Sequence, residues 1–95
     1  MKRLSTTAMV RRINTVLGRE YKHKGFESLS GAPYHTFRSK KRGLTLVRSI
    51  EGRTVCVALS KNVSLGTYSD VMDILGTNTS INNHDPNVVV LEKTI

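Results

Sequence analysis

The sequence predicts an α+β domain: an N-terminal helix, an antiparallel β-meander of three to four strands, a second helix and a short C-terminal strand, with both helices on one face of the sheet. Three observations carry this expectation. Apolar residues recur at the helical period near the N-terminus, they alternate with polar ones at period two through the middle, and turns containing glycine separate the alternating runs. A chain of 95 residues is long enough for one core and too short for two self-supporting ones, so residues 1–95 are read as a single small domain.

Taken in order, Ser5-Thr6-Thr7 offers a hydroxyl N-cap for a helix over about Ala8 to Tyr21. Met9, Val10, Ile13, Val16 and Leu17 share one face of it, and Arg11, Arg12, Thr15, Arg19 and Lys22 share the other. After Gly25 the pattern turns extended: Phe26 to Leu29 reads as a short strand, Ser30-Gly31-Ala32-Pro33 as a turn or bulge, and Tyr34 to Ser39 as the next strand. Lys40-Lys41-Arg42-Gly43 reads as a hairpin turn leading into a strand where Leu44, Leu46 and Ile50 alternate with Thr45, Val47 and Ser49. Arg48 interrupts the first of those sets, which suggests a strand half open to solvent.

Glu51-Gly52 supplies a tight turn, and Val55, Val57 and Leu59 share a face of a further strand with Cys56 and Ala58 opposite. Thr67-x-x-Asp70 has the form of a capping-box variant opening a helix from about Tyr68 to Leu75, with Gly76 as its C-cap. Thr77 to Asn87 is rich in Asn, Thr and Ser and is expected to be a surface loop. Val88 to Leu91 then forms a last strand whose four consecutive apolar residues predict burial on both faces. It either joins the sheet or covers a partner's edge, which brings a homodimer through the Val88 to Leu91 strand into consideration.

Charge distribution says more than the net value of +8. Residues 1–53 hold thirteen Lys and Arg against three acids, a net of +10; residues 54–95 hold two against four, a net of −2. Such clustering is what an electrostatic footprint for phosphates requires, and it makes nucleic acid the first expected partner. An acidic protein surface is the alternative partner. Lys40, Lys41 and Arg42 at one loop tip repel one another, and a neutralising anion gives a reason for their adjacency.

No apolar run is long enough to span a bilayer, and Met1-Lys2-Arg3-Leu4 is not followed by the apolar stretch of a secretory signal. A single cysteine, Cys56, lies inside an apolar run and cannot form an internal disulfide. No membrane association is expected, and the cytoplasm is the expected compartment.

Dispersed histidines (His23, His35, His84) and one cysteine do not supply a metal set, so no metal or cofactor is expected. There is no P-loop, dinucleotide fingerprint or Gly-x-Ser-x-Gly elbow. Tyr34-His35-Thr36-Phe37-Arg38 is the one constellation with catalytic potential: His35 as general base with Arg38 or Arg48 stabilising developing charge gives metal-free RNA cleavage. The competing reading places His35 on the strand face it shares with Phe37, satisfied by a hydrogen bond or half exposed, or in simple contact with nucleic acid. Tyr34 and Phe37 offer rings on which unpaired bases stack, or that pack in a core.

Arg53-Thr54-Val55-Cys56-Val57, followed by Gly66-Thr67-Tyr68-Ser69-Asp70-Val71-Met72-Asp73-Ile74-Leu75-Gly76, resembles HicA-type toxins across roughly Gly43 to Gly76. The resemblance implies a small basic mRNA interferase with a double-stranded-RNA-binding-domain-like fold, in which a basic strand leads to a helix opening with Gly-Thr. Gly66-Thr67 occupies that place. The family's catalytic histidine follows a glycine and a small residue at a strand start, whereas here Gly43 precedes Leu44-Thr45 and the nearest histidine, His35, lies a strand earlier.

The functional expectation is therefore a small basic nucleic-acid-binding protein, RNA favoured over DNA, that is not catalytic. Its contacts are expected from Arg11, Arg12, Arg19, Lys22, Tyr34, Arg38, Lys40, Lys41, Arg42 and Arg48. A ribonuclease using His35 and a phage or mobile-element inhibitor or adaptor docking on an acidic protein are the alternatives.

Overall fold

A computed structural model describes residues 4–29 and 32–95, without the side chains of residues 26–29 and 32–34. The chain runs α1 (Thr6–Leu17), β1 (Lys22–Leu29), β2 (Ala32–Ser39), β3 (Gly43–Ile50), β4 (Thr54–Ser60), α2 (Leu65–Leu75), β5 (Ser80–Asn82) and β6 (Val88–Thr94). All six strands form one antiparallel sheet in the order β1-β2-β3-β4-β6-β5. This is the α+β class that the alternation of periods predicts. Of the expected turn at Ser30 to Pro33, Ser30 and Gly31 lie outside the described residues, while Ala32 and Pro33 fall within β2.

Both helices cover the same face of the sheet. Ile13 and Leu17 of α1 and Val71 and Leu75 of α2 are fully buried together with Val47, Val55, Val57, Leu59 and Leu91 of the strands. Each such side chain removed from water contributes about 1.5–3 kcal/mol, so this single layer carries most of the drive to fold. The helices run antiparallel to each other. The start of α1 meets the β3–β4 turn, where the Thr6 hydroxyl donates to the Gly52 carbonyl at 3.0 Å. Its end meets the start of α2, where the Ser64 N–H donates to the Glu20 carboxylate at 3.4 Å.

Local chemistry moves several boundaries from their expected places. Ser5 caps α1 by accepting from the Ala8 N–H, so the helix begins earlier than Ala8 and closes at Gly18. Lys22 consequently belongs to β1 and not to the helix. Helix α2 opens at Ser64, whose hydroxyl accepts the Thr67 N–H at 3.3 Å, and Thr67 is a buried first-turn residue and not the cap. Gly76 closes α2 as expected. The expected loop at Thr77 to Asn87 contains a three-residue strand, β5, which adds onto β6.

The more instructive difference concerns β3. Thr45 and Val47 face the helices and are buried, while Leu44 stands 44% exposed and Leu46 and Ile50 are half-buried on the other face. A period-two pattern defines two faces but not which one the helices choose. The small Thr45 fits beneath them because its hydroxyl donates to the Ala58 carbonyl. In β6, Val89 and Leu91 are buried while Val88 and Val90 remain half-buried on the open face, so only alternate members of the apolar run reach the core. Strand β6 is also an interior strand, bonded to β4 along its length and to β5 at Val90 to Glu92.

Candidate nucleic-acid interface

Three segments distant in sequence meet at one end of the sheet: the exit of α1, the β2–β3 tip and the β4–α2 loop. The tip is braced. Ser39 Oγ accepts the N–H groups of Lys41 and Arg42, both at 3.2 Å, which closes the turn from within. Across the gap, Asn62 Nδ2 donates to the Lys41 carbonyl at 3.0 Å, and Arg42 Nη1 donates to the Asn62 carbonyl at 2.6 Å. Ser60 Oγ in turn donates to Asn62 Oδ1 at 2.5 Å. Gly43 follows with φ of +83°, and a Cβ there would stand 3.3 Å from Ser60 Oγ, so the turn also needs this glycine.

The bracing leaves Lys40 and Lys41 exposed on a fixed loop, with Lys61 exposed beside them on the neighbouring one. Lys22 and Arg38 pair across β1 and β2 near the same end, and both are exposed. Lys24, the extra residue where the β1–β2 register shifts, is exposed as well. These exposed side chains concentrate positive charge at one end of the sheet. Two of the expected contacts have other occupations. Arg42 is half-buried and holds Asn62, while Arg19 Nη1 bonds Asp70 Oδ2 at 2.6 Å between the helices. Burial raises the Glu20 carboxyl, but the hydroxyl and N–H of Ser64 and the charge of Arg42 outweigh it, and the net direction is down. Glu20 thus stays ionised among the cations.

Arg11 and Arg12 are exposed in the middle of α1, about 10 Å along the helix from Arg19 at 1.5 Å per residue. They extend the basic surface along the helix and do not belong to the tip. Arg48 is separate: five residues along β3 from Gly43, it lies roughly 17 Å from the turn, near the centre of the open face. Tyr34 pairs with Arg48 in the β2–β3 ladder, and its side chain is among those not described. Sequence reasoning omitted Lys61 and Lys24. The first sits in the acidic half of the chain, and its relevance comes only from the Lys61–Asn62 loop folding against the tip.

His35 lies on the helix-side face with Phe37, opposite buried Val47 in the β2–β3 ladder. Its neighbour is one the sequence did not indicate: His23 Nε2 lies 3.2 Å from His35 Nδ1, a donor–acceptor pair whose direction depends on the tautomers. The His23 ring also meets buried Phe37 edge-on at 5.0 Å. Burial, and then the charge of His23, hold the His35 imidazole below its ordinary value, so it is neutral at pH 7. Alternation along the strands puts Arg38 and Arg48 on the opposite face from His35. The expected pairing of a His35 base with an Arg38 or Arg48 stabiliser is therefore not assembled.

Elsewhere, a depression of about 520 Å³ lined by Leu4, Met9, Ile74, Leu75, Lys93 and Ile95 lies at the other end of the molecule and gathers no acid–base pair. No group of three or more His, Cys, Asp or Glu side chains arranged to hold a metal occurs among the described residues. No helix among them is long and apolar enough to cross a membrane. Comparison with protein-family models, curated proteins and solved structures finds no match, so geometry carries the functional reading.

Proposed function

We propose that this protein binds nucleic acid through the end of the sheet that carries Lys22, Arg38, Lys40, Lys41 and Lys61, with Arg11 and Arg12 extending the contact along α1. The observation that supports this reading most is the Asn62 brace. It holds two adjacent lysines on a structured tip, where mutual repulsion is a standing cost that a phosphate backbone removes. RNA is the preferred ligand over DNA, on the resemblance to HicA-type toxins. The test is binding of mixed-sequence single-stranded RNA across a salt series. Four neutralised phosphates give a slope of log affinity against log salt of about −3, at roughly 0.7 per contact. Binding that ignores salt, or none at low salt, refutes the reading. A protein partner retained from lysate after nuclease treatment would instead favour docking on an acidic surface.

A second reading, metal-independent RNA cleavage, draws support from the His23–His35 pair, because a neutral imidazole beside another can take a proton and pass it on. In this version His23 replaces the arginines as the partner of His35. Cleavage that survives chelator, vanishes in His35→Ala and leaves binding intact would support it, and retention of cleavage in that variant would exclude it.

A further inference from the structure

The helices cover one face of the sheet, and no described element packs over the other. That open face presents Leu46, Ile50, Ala58, Val88 and Val90, all half-buried, around Cys56 at 6% exposure. The cross-strand register sets three rows through its centre: Arg48–Cys56–Glu92, Leu46–Ala58–Val90 and Ile50–Thr54–Thr94. In the first, a cation on β3 and an anion on β6 flank the cysteine of β4, on strands spaced about 4.8 Å to either side of it. Arg48 Nε is buried and has no hydrogen-bond partner among the described residues.

We infer that two copies of this chain pack open face to open face about a two-fold axis that lies between the two sheets, parallel to β4 and over Cys56, so that Arg48 of each copy meets Glu92 of the other. The rows select this axis. A two-fold along the strand direction exchanges the β3 and β6 sides, so Arg48 faces Glu92, Leu46 faces Val90, Ala58 faces itself and Cys56 faces itself. A two-fold across the strands places Arg48 on Arg48 and Glu92 on Glu92, which like-charge repulsion opposes. Aligned stacking of two sheets about 10 Å apart is an ordinary arrangement for such faces, and a shared patch on both partners is what two-fold symmetry requires. Strands about 4.8 Å apart and some seven residues long make a plane of roughly 25 Å by 25 Å, comparable with the ~800 Å² per partner of a standard interface once side-chain relief is included. The strand from Val88 to Leu91 then contributes through its face and not through its edge.

An axis along the strands leaves their direction unchanged, so both basic tips point the same way. If the tip binds nucleic acid, the dimer offers two tips side by side; the dimer itself does not depend on that reading.

The experiment is sedimentation equilibrium of the wild type, Arg48→Glu, Glu92→Arg, and an equimolar mixture of the two variants. The wild type is expected to show a concentration-dependent dimer mass. Each variant alone opposes like charges across the axis, and its dissociation constant should rise about 100-fold. In the mixture, the acid-rich face of one variant meets the base-rich face of the other, and dimer mass should return. A wild type that stays monomeric up to about 1 mM, or variants that self-associate like the wild type, overturns the inference. So does an Arg48→Glu protein that has lost RNA affinity with unchanged mass, which would assign the face to nucleic acid. Far-UV circular dichroism confirms that each variant is folded, and if one is not, the wild-type mass alone decides.

Discussion

The meander contains two adjacent hairpin turns that look alike in sequence, Lys40-Lys41-Arg42-Gly43 and Glu51-Gly52-Arg53, each with a glycine and at least one cation. The structure separates them. The first leans on the β4–α2 loop through Asn62 and joins cations from β1, β2 and that loop. The second stands at the other end, closed by the Arg53 N–H donating to the Ile50 carbonyl at 3.0 Å and by positive φ at both Glu51 and Gly52. A turn's composition states its local conformation, and its function depends on what the rest of the chain brings beside it.

The largest test of that difference is charge reversal at each turn. Lys40→Glu with Lys41→Glu is expected to weaken RNA binding about 10- to 100-fold at low salt and to flatten the salt slope by roughly 1–2 units, since two phosphate contacts are lost. Arg53→Glu should change affinity less than about twofold under the same conditions. Equal losses at both turns would mean that the whole basic surface acts diffusely, and the distinction between the turns would fall.

Next in size is the brace. Asn62→Ala removes the donor to the Lys41 carbonyl and the acceptor for Ser60, while the Asn62 carbonyl remains for Arg42. Chemical denaturation should show a loss of about 1–2 kcal/mol, and RNA affinity should fall about threefold because the tip must then be ordered on binding. A stability loss with unchanged affinity would show that the lysines act without the brace.

These two tests mark what the sequence made legible. The two helices, the strands of the meander and β6, the class of fold and the segregation of positive charge are encoded locally, by period and composition, whereas the short strand β5 is not. The brace is not, because Asn62 reads as an ordinary strand terminus until the loop it belongs to folds against Lys41. The inward face of β3 was hidden for a related reason: Leu44 and Leu46 are more apolar than Thr45, and only the Thr45 bond to the Ala58 carbonyl explains how the polar residue came to be buried. The His23–His35 contact was obscured by the register shift between His23 and Gly25, which alternation alone does not locate.

Acidity offers a smaller effect on the same strands that carry the tip. His35 binds its proton less readily in the fold than in the unfolded chain, because burial and then His23 disfavour the imidazolium. The unfolded state therefore takes up more protons below pH of about 6.5, so the His35 contribution is whole above that value and is lost as pH falls through the lower folded value. Glu20, also held below its ordinary value, acts in the same sense at lower pH, being whole above 4.5 and lost beneath it. Thermal midpoints should decline from pH 7.5 to 5.5 and decline less in His35→Gln, where the uncharged amide cannot titrate. An unchanged slope in that variant would remove His35 from the account.

The smallest effect belongs to the second turn. Glu51 adopts φ of +53° and Gly52 φ of +69°, the two successive positive values that suit asparagine followed by glycine better than glutamate followed by glycine. Left-handed backbone costs a Cβ-bearing residue about 1–2 kcal/mol, part of which the short asparagine amide offsets by hydrogen-bonding locally, so Glu51→Asn should stabilise the fold by about 0.5 kcal/mol. At roughly 4–8 °C per kcal/mol for a domain of this size, the midpoint should rise about 3 °C. Because the turn lies at the end away from Lys40 and Lys41, RNA affinity should not follow, even though the substitution removes an acid and raises the net charge by one. Affinity that rises with net charge regardless of position would show that the second turn reaches the nucleic acid as well, and that the two ends of the meander differ only in bracing.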